Sequence, residues 1–236
     1  MLELKDIILE ESSACRRQPV SFVVRPGDTY TFNSPSRSLN TCLLRVIMGL
    51  KAPVEGYVTI EGEHVSSRSS STFRRLMTYL PHGLFLPHCR VSEFLLTLWS
   101  LQVNSDLELR RQQVRQQWSQ LDVDISWWDA YADEVPWAVM RRILLAVSSM
   151  TGHPLVLLDM PFDGQSEEHV RLMDGYIRQM AQSGKSVLQT SLDRLPAGSS
   201  EKTIPESAPT VPSPGAKAPS DAPSSPSFQP LSLFDT

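Results

Sequence analysis

The chain has 236 residues, of which 41% are hydrophobic and 20% are charged, and its formal net charge is −4. This length and apolar share are enough for one substantial core with a small appended lobe, whereas the net charge gives no sign of a global nucleic-acid-binding surface. The three cysteines, Cys15, Cys42 and Cys89, lack metal-ligand spacing, and no apolar run reaches the roughly 20 residues of a membrane-spanning helix. We therefore expect a cytoplasmic protein with reduced thiols and no metal.

Strand and helix patterns alternate over the first 195 residues. A strand that ends near Phe32 is followed by a turn of small residues and an apolar helix that closes at Gly49. Short apolar runs predict four further strands, of which the last two are buried and parallel. These runs are residues 57–60, 75–80, 155–159 and 186–191.

Two helices have recognisable N-terminal caps. Ser105 followed by Glu108 is a capping box, and an apolar face follows it. Ser166 precedes a second helix, which we expect to end at Ser183-Gly184. Because the mainly helical stretch 92–150 lies between strands, we predict an α/β fold with a mainly parallel sheet and an inserted helical lobe.

The composition changes abruptly after residue 195. Residues 196–236 are rich in Pro and Ser and have too few large apolar side chains to repay the entropy of ordering, so we predict a disordered tail. The tail ends in an apolar segment, 228–234, that suits docking in a groove of a partner, and a frayed terminus is the alternative. Its large apolar residues are Phe228, Leu231, Leu233 and Phe234.

Five segments in order resemble the nucleotide-binding subunits of ABC transporters, and together they span residues 1–195. The matching runs are PVSFVVRPGD (19–28), LLRVIMGLKAPVEGYVTIEGE (43–63), FRRLMTYLPHGLFLPHCRVSEFL (73–95), MRRILLAVSSMTGHPLVLLDMPFDGQ (140–165) and KSVLQTSLD (185–193). The resemblance implies a P-loop NTPase-like core with a helical subdomain at about 92–150. The run PFDGQ (161–165) is similar to ATPase subunits of Mce-type, Mla-like lipid transport systems.

The phosphate-binding loop of the family aligns with residues 34–41. Its glycines fall on Ser34, Arg37 and Leu39, and its lysine falls on Asn40, while Thr41 keeps the hydroxyl. A P-loop needs glycines and a lysine around the phosphates and a hydroxyl on magnesium. We expect the Leu39 side chain to stand where the backbone would approach the nucleotide, and Arg37 is the one substitute cation.

Other positions implied by the resemblance also differ from the family. The Q-loop glutamine falls on His82, and the signature Ser-Gly-Gly-Gln begins at Pro136 and Trp137. Proline lacks the amide proton that would grip a phosphate, and we expect Trp137 to fill the space. The switch histidine falls on Leu192.

The Walker B strand keeps its aspartate, Asp159, but the catalytic glutamate after it is replaced by Met160, which accepts no proton. Asp159 has two interpretations, as a magnesium ligand or as the capped end of a buried strand. The resemblance therefore implies a degenerate nucleotide site with no catalytic residue and no cofactor. From this we predict that the chain is not an enzyme but a pseudo-ATPase.

The resemblance implies function by binding to a membrane partner. We predict a structural or regulatory subunit that docks on an ABC permease at the cytoplasmic face of the inner membrane, in an Mce-type lipid transport complex as one candidate. It would form a homodimer or pair with another ATPase subunit, and it would bind no nucleic acid. The predicted docking residues, which alternatively pack inside the helical lobe, are Phe85, Leu86, Val91, Phe94 and Leu95.

Two alternatives remain open at this point. One is an active ABC ATPase with a non-standard nucleotide site built from Arg37, Thr41, Asp159 and His82. The other is a free-standing adaptor that recruits a partner through its C-terminal tail. Because the tail begins soon after the last predicted strand, we also expect an open edge of the sheet.

Overall fold

The computed structural model describes residues 1–11, 14–100, 111–192 and 202–204. The strands are β1 (Leu2–Glu11), β2 (Ala14–Val24), β3 (Thr29–Asn33), β4 (Glu55–Ile60), β5 (Glu63–His64), β6 (Met77–Leu80), β7 (Leu155–Leu158), β8 (Ser186–Ser191) and β9 (Lys202–Ile204). The α-helices are α1 (Arg37–Ile47), α2 (Ser70–Arg74), α3 (Val91–Trp99), α4 (Arg111–Ser119), α5 (Trp137–Met150) and α6 (Glu167–Gln182). Two short 3-10 helices lie at Ile125–Asp129 and Ala132–Glu134.

The strands form one parallel and one antiparallel sheet. The five-stranded sheet has the order β6-β7-β8-β3-β9, and every pair in it is parallel. The four-stranded sheet has the order β2-β1-β4-β5 and is antiparallel. The predicted α/β class is confirmed. Because the strands of the larger sheet run the same way, the loops after β3, β6, β7 and β8 meet at one edge.

The buried strands and the capped helix agree with the sequence patterns. All four residues of β7 are buried, and β7 pairs in parallel with β8, as predicted. The hydroxyl of Ser166 accepts a hydrogen bond from the amide of His169 at the start of α6. Beyond α6, Gly184 has a φ of 99°, a conformation that glycine adopts without strain.

Helices α3 to α5 follow β6 in the chain and precede β7, and they pack together. Their shared cluster includes Leu95 of α3, Trp118 of α4 and Ile143 of α5, each fully buried. It continues onto α6 and β7, so the helices lie against the parallel sheet rather than apart from it. The bounds 92–150 for a helical subdomain remain a prediction.

Three of the five predicted docking residues lie in this cluster instead of facing solvent. Val91, Phe94 and Leu95 are at most 8% exposed, so their prediction as docking residues is wrong. The physical reason is that an amphipathic helix turns its apolar face to the core, and α3 has helices and a sheet to cover that face. Leu86 is half-buried, whereas Phe85 is 92% exposed.

The last described strand lies inside the predicted tail. β9 pairs in parallel with β3, and Thr203 is the partner of Thr31. The expected open edge is therefore wrong at β3, which has neighbours on both sides. The boundary at residue 195 remains a prediction, and the proposed apolar docking end, 228–234, lies outside the described residues. None of the helices in the described ranges is long and apolar enough to cross a membrane.

Candidate functional site

The C-terminal edge of the parallel sheet carries a buried carboxylate that connects three elements. Asp159 follows β7 directly and is 1% exposed. Its Oδ2 accepts a hydrogen bond from Thr41 Oγ1 of α1 at 2.7 Å and from the Tyr79 hydroxyl of β6 at 3.1 Å. Its Oδ1 accepts one from Thr190 Oγ1 of β8 at 3.2 Å. A carboxylate with this many donors is held in one orientation.

The environment of Tyr79 favours its neutral, proton-donating form. Burial raises the pKa of the Tyr79 phenol, and the charge of Asp159 raises it further. Tyr79 is therefore a fixed hydrogen-bond donor to Asp159 near neutral pH. Removal of this donor would leave part of the carboxylate unsatisfied in a buried place.

Side-chain hydrogen bonds hold the loop before α1, at positions where the family has glycines. The Ser36 hydroxyl accepts a hydrogen bond from the amide of Leu39, which caps α1. Ser34 is 2% exposed, and its amide donates to the carbonyl of Ser191. Leu39 is buried in the apolar cluster below the antiparallel sheet, so the expectation that its side chain occupies the nucleotide's place is wrong. The helix rotates that side chain toward the core.

Asn40 stands where the resemblance places the phosphate-binding lysine, and it is fully buried. Its Nδ2 donates to the carbonyls of Ser34 at 3.1 Å and Ser191 at 3.0 Å. Both amide protons are thus used to join the loop after β3 to the end of β8. Among the described residues its Oδ1 has no partner. Asn40 therefore has an acceptor but no spare proton for a ligand.

Three partly exposed side chains meet at the same edge of the sheet, and we call their position the mouth of the site. They are Arg37, His82 and Asp163. Arg37 Nη1 lies 2.6 Å from Asp163 Oδ2, and His82 Nε2 lies 2.8 Å from the same oxygen. The Arg37 and His82 nitrogens are 3.0 Å apart. The hydrogen bond from Arg37, followed by that from His82, lowers the pKa of Asp163 from its ordinary 3.8 to about 2. The same contact with Asp163 raises the pKa of Arg37.

A buried arginine of α5 fixes the backbone beneath this cluster. Arg141 is 2% exposed and donates through Nη1 to the carbonyls of Met160 at 2.7 Å and Asp163 at 2.9 Å. Its Nη2 donates to the carbonyl of His82 at 2.7 Å. Its guanidinium also lies 5.5 Å from the ring centroid of Trp137. Burial lowers the pKa of Arg141, and the three carbonyls hold it in place.

The start of α5 lies beside the run 161–165 as well. Gln165 Nε2 donates to the carbonyl of Ala138 at 2.9 Å. Pro136 is the N-terminal flanking residue of α5, and Trp137 is half-buried and packs against the helical cluster. The hydrogen bond of Gln165 therefore joins the run 161–165 to the start of α5.

Met160 adopts a rare backbone conformation directly after Asp159. Its φ is 47°, which only glycine adopts freely, and its side chain is 3% exposed. Its amide donates to Thr190 Oγ1 at 3.0 Å, and its carbonyl accepts from Arg141. Partners on both sides of the peptide hold this conformation.

The structure joins some of the residues that the sequence singled out, in pairs. Arg37 meets His82, and Thr41 meets Asp159. Leu192 follows β8 and is half-buried. Sequence reasoning missed four contributors, which are Tyr79, Arg141, Asp163 and Thr190. Tyr79 and Thr190 could have been found, since both lie near the C-terminal ends of apolar strands. Asp163 and Arg141 gave no such signal.

Comparison with known families settles what kind of protein carries this arrangement. A family model described as "ABC transporter" matches residues 18–163, more than half of the chain. The chain belongs to the ABC transporter family. The ABC match includes β3, α1, the helical insertion and the loop that holds Asp163.

Individual ABC proteins are similar over most of the chain. It is 25% identical over 179 residues to the Fe(3+) ions import ATP-binding protein FbpC of Escherichia coli O157:H7, over 76% of this chain and 51% of that protein. It is 26% identical over 182 residues to the cytochrome c biogenesis ATP-binding export protein CcmA of Mannheimia succiniciproducens, over 76% and 82%. The chain thus spans about half the length of the iron-import relative.

A solved ABC structure has the same fold. A putative ABC transporter ATP-binding protein from Pyrococcus furiosus superposes with a TM-score of 0.71 at 17% identity, over 86% of this chain and 96% of that one. At this identity the likeness concerns the fold, and it confirms the P-loop NTPase-like core expected from the resemblance.

These matches contradict the prediction that the chain is not an enzyme. The family model is that of ABC transporters, and both curated relatives are named ATP-binding proteins. The prediction of a pseudo-ATPase is therefore wrong. It treated each replaced motif residue as a lost function, whereas the relatives place the chain among ATP-binding proteins.

Proposed function

We propose that the chain is the ATP-binding, ATP-hydrolysing subunit of an ABC transporter and that its nucleotide site uses a non-standard set of contacts. The observation that carries the proposal is the 2.7 Å hydrogen bond between Thr41 and Asp159. These are the residues that the resemblance assigns to magnesium, and the fold brings them together from α1 and from the end of β7.

The donor atoms of this pair fit a hard cation. Mg²⁺ prefers oxygen ligands and keeps several waters or phosphate oxygens. The Thr41 hydroxyl and the Asp159 carboxylate would hold Mg²⁺, which would offset negative charge on the phosphates when bound. The described residues contain no group of three or more His, Cys, Asp or Glu that could hold a metal by itself. The ion would therefore depend on the nucleotide for its remaining ligands.

The cation that meets the phosphates is assigned to Arg37. Asn40 has no spare proton to offer, as both protons of its amide are used on carbonyls. Arg37 is the first residue of α1, and its side chain is 54% exposed and lies beside His82. A guanidinium suits phosphate because it presents several donors in one plane. The raised pKa of Arg37 keeps it charged.

The proton acceptor for the attacking water is assigned to His82. Met160 has no group that takes a proton, whereas histidine is the commonest general base. The His82 side chain is 32% exposed, so water reaches it. In this assignment water attacks the terminal phosphorus, its proton passes to His82, and ADP leaves with the electrons of the broken P–O bond.

A nucleotide-binding experiment tests the proposal. We expect calorimetry to detect ATP binding in the presence of Mg²⁺, and Thr41→Ala should weaken it about tenfold, because one ligand and one hydrogen bond to Asp159 are lost. Thr97→Ala is the matched control, since among the described residues the Thr97 hydroxyl bonds only the carbonyl of Glu93 on the exposed side of α3. Absence of ATP binding in the unmodified protein would refute the proposal.

The partner that we propose is an ABC permease of the inner membrane, with the chain on the cytoplasmic face as one of two ATPase subunits. Support comes from Phe85, which is 92% exposed next to Leu84 at 40%. Large apolar side chains at this exposure mark interaction sites. The half-buried Leu86 would form the base of the contact.

Phe85→Asp should reduce docking at least about thirtyfold, because a central aromatic anchor contributes about 2 kcal/mol or more to an interface. The measurement is the fraction of protein that sediments with inner-membrane vesicles from the cells that encode it. Leu96→Asp makes the same kind of change at a residue that is 50% exposed on α3. Equal sedimentation of both variants and the unmodified protein would exclude Phe85 from the contact.

The cargo that we propose is lipid, in an Mce-type complex. The support is the run PFDGQ at 161–165, which resembles the ATPase subunits of those systems. The hydrogen bond from Gln165 to the carbonyl of Ala138 gives its last residue a role in joining this loop to α5. Capture of a permease of that type by the full chain would support the assignment, and capture of an iron or haem permease would overturn it.

A further inference from the structure

At the mouth of the proposed nucleotide site, an internal anion contacts Arg37 and His82. A single carboxylate oxygen, Asp163 Oδ2, lies 2.6 Å from Arg37 Nη1 and 2.8 Å from His82 Nε2. A phosphate oxygen would make the same kind of contact with the same two nitrogens. The carboxylate therefore occupies the guanidinium that the proposed function assigns to the phosphates and the imidazole that it assigns to the attacking water.

The three residues come from three separate loops. His82 follows β6, Asp163 follows β7, and Arg37 follows β3, which is separated from β7 by β8 in the sheet. The Arg37–Asp163 contact thus reaches over the end of β8. The three loops follow different strands, so the contacts between these side chains are what connect the loops across the site.

The backbone of Asp163 is fixed while its side chain stays accessible. Arg141 holds the Asp163 carbonyl, and the Asp163 amide donates to the carbonyl of Met160 at 3.2 Å. The side chains of Arg37, His82 and Asp163 are 54%, 32% and 34% exposed. An anion from solvent can therefore reach Arg37 and His82, and the carboxylate can turn away without any backbone movement.

The carboxylate competes as an anion at neutral pH. Arg37 and then His82 lower the pKa of Asp163 to about 2, so it is ionised throughout the physiological range. Arg141 adds a second positive charge below the cluster, and Asp159 adds a negative one. The two arginines are therefore offset by the two aspartates of the same chain.

We propose that Asp163 is an intramolecular competitor for phosphate, which holds the mouth closed until a polyphosphate displaces it from Arg37 and His82. This inference rests on the proposed function, because it takes Arg37 as the phosphate-binding cation. No covalent step is involved, and one anion replaces another on the same nitrogens.

The test is Asp163→Asn, which keeps the shape of the side chain and removes its charge. We expect the Kd for inorganic triphosphate, measured by calorimetry in Mg²⁺ buffer, to fall about two- to fivefold, the range that loss of a partly exposed competing ion pair allows. Asp133→Asn is the matched control, since Asp133 pairs with His88 at 2.9 Å away from the site. Asp163→Ser serves as a second uncharged variant if the first melts early.

The Arg37→Gln background identifies the group on which Asp163 acts. There, Asp163→Asn should give no gain in triphosphate binding, because the cation for which the two anions compete is absent. An unchanged or higher Kd in Asp163→Asn with Arg37 present would overturn the inference, as would failure of either protein to bind triphosphate. Tighter triphosphate binding without any ATP binding would uphold the inference while it refuted the proposed function.

Discussion

Arg141→Leu should lower the free energy of unfolding by about 3–5 kcal/mol. The arginine is 2% exposed, and its guanidinium donates to three carbonyls, those of His82, Met160 and Asp163. Leucine would remove the side-chain donor from all three carbonyls, and the Met160 carbonyl would keep only the amide of Asp163. Each buried acceptor that is left without a donor costs about 1–3 kcal/mol. The apolar side chain of leucine would recover only part of the loss. Urea unfolding followed by far-ultraviolet circular dichroism measures the difference.

The matched control for this variant is Arg171→Leu on α6. The Arg171 side chain is 79% exposed, and its contact with Glu167 is 3.5 Å long, so we expect a change within about 0.5 kcal/mol. Arg141→Lys should lie between the two, because an ammonium group cannot reach three carbonyls in one plane. A loss for Arg141→Leu no larger than that of the control would show that the carbonyls find other partners.

Asp159→Asn should reduce ATP turnover at least about 100-fold, the scale on which removal of one electrostatic contact acts. The substitution keeps the size of the side chain but replaces a charged oxygen by an amide. Thr41, Tyr79 and Thr190 all donate to the carboxylate, and the amide would face at least one of them as a second donor. Phosphate release per mole of protein is the measurement.

A control variant and a melting temperature show whether Asp159→Asn acts on the reaction or on folding. Asp129→Asn changes a residue whose side chain is 61% exposed, and turnover should be unchanged. The melting temperature of Asp159→Asn separates lost chemistry from lost folding. Turnover that persisted in a folded Asp159→Asn protein would remove Asp159 from the proposed site and leave its role as the hydrogen-bonded end of β7.

Local sequence patterns predicted the parts of the fold that local physics determines. The run LVLL has four consecutive apolar residues because β7 is covered on both sides, and the sequence alone indicates such a strand. Ser166 and Gly184 mark the two ends of α6 through their own backbone and side-chain chemistry. In both elements, the residues whose pattern predicts the strand or the helix end are the residues that form it.

Contacts between distant segments could not be predicted in this way. Asp163 meets Arg37 across 126 positions of the chain, and nothing in the residues around either one indicates the other. Val91, Phe94 and Leu95 of α3 were predicted to dock on a partner, but they are buried. Their burial depends on the helices and the sheet that pack against α3, which the local sequence does not show. The prediction that the chain is not an enzyme compared aligned positions one at a time, whereas the family model matches the continuous range 18–163.

The position of β9 has a practical consequence for shortened forms of this protein. Its three residues cover one side of β3, the strand that leads directly into the loop before α1. Truncation ahead of Lys202 would expose backbone amides and carbonyls of β3, and an unpaired edge strand of this kind can pair with strands of other molecules. Trimming the Pro-rich C-terminus for solubility would therefore promote aggregation unless the cut falls beyond Ile204.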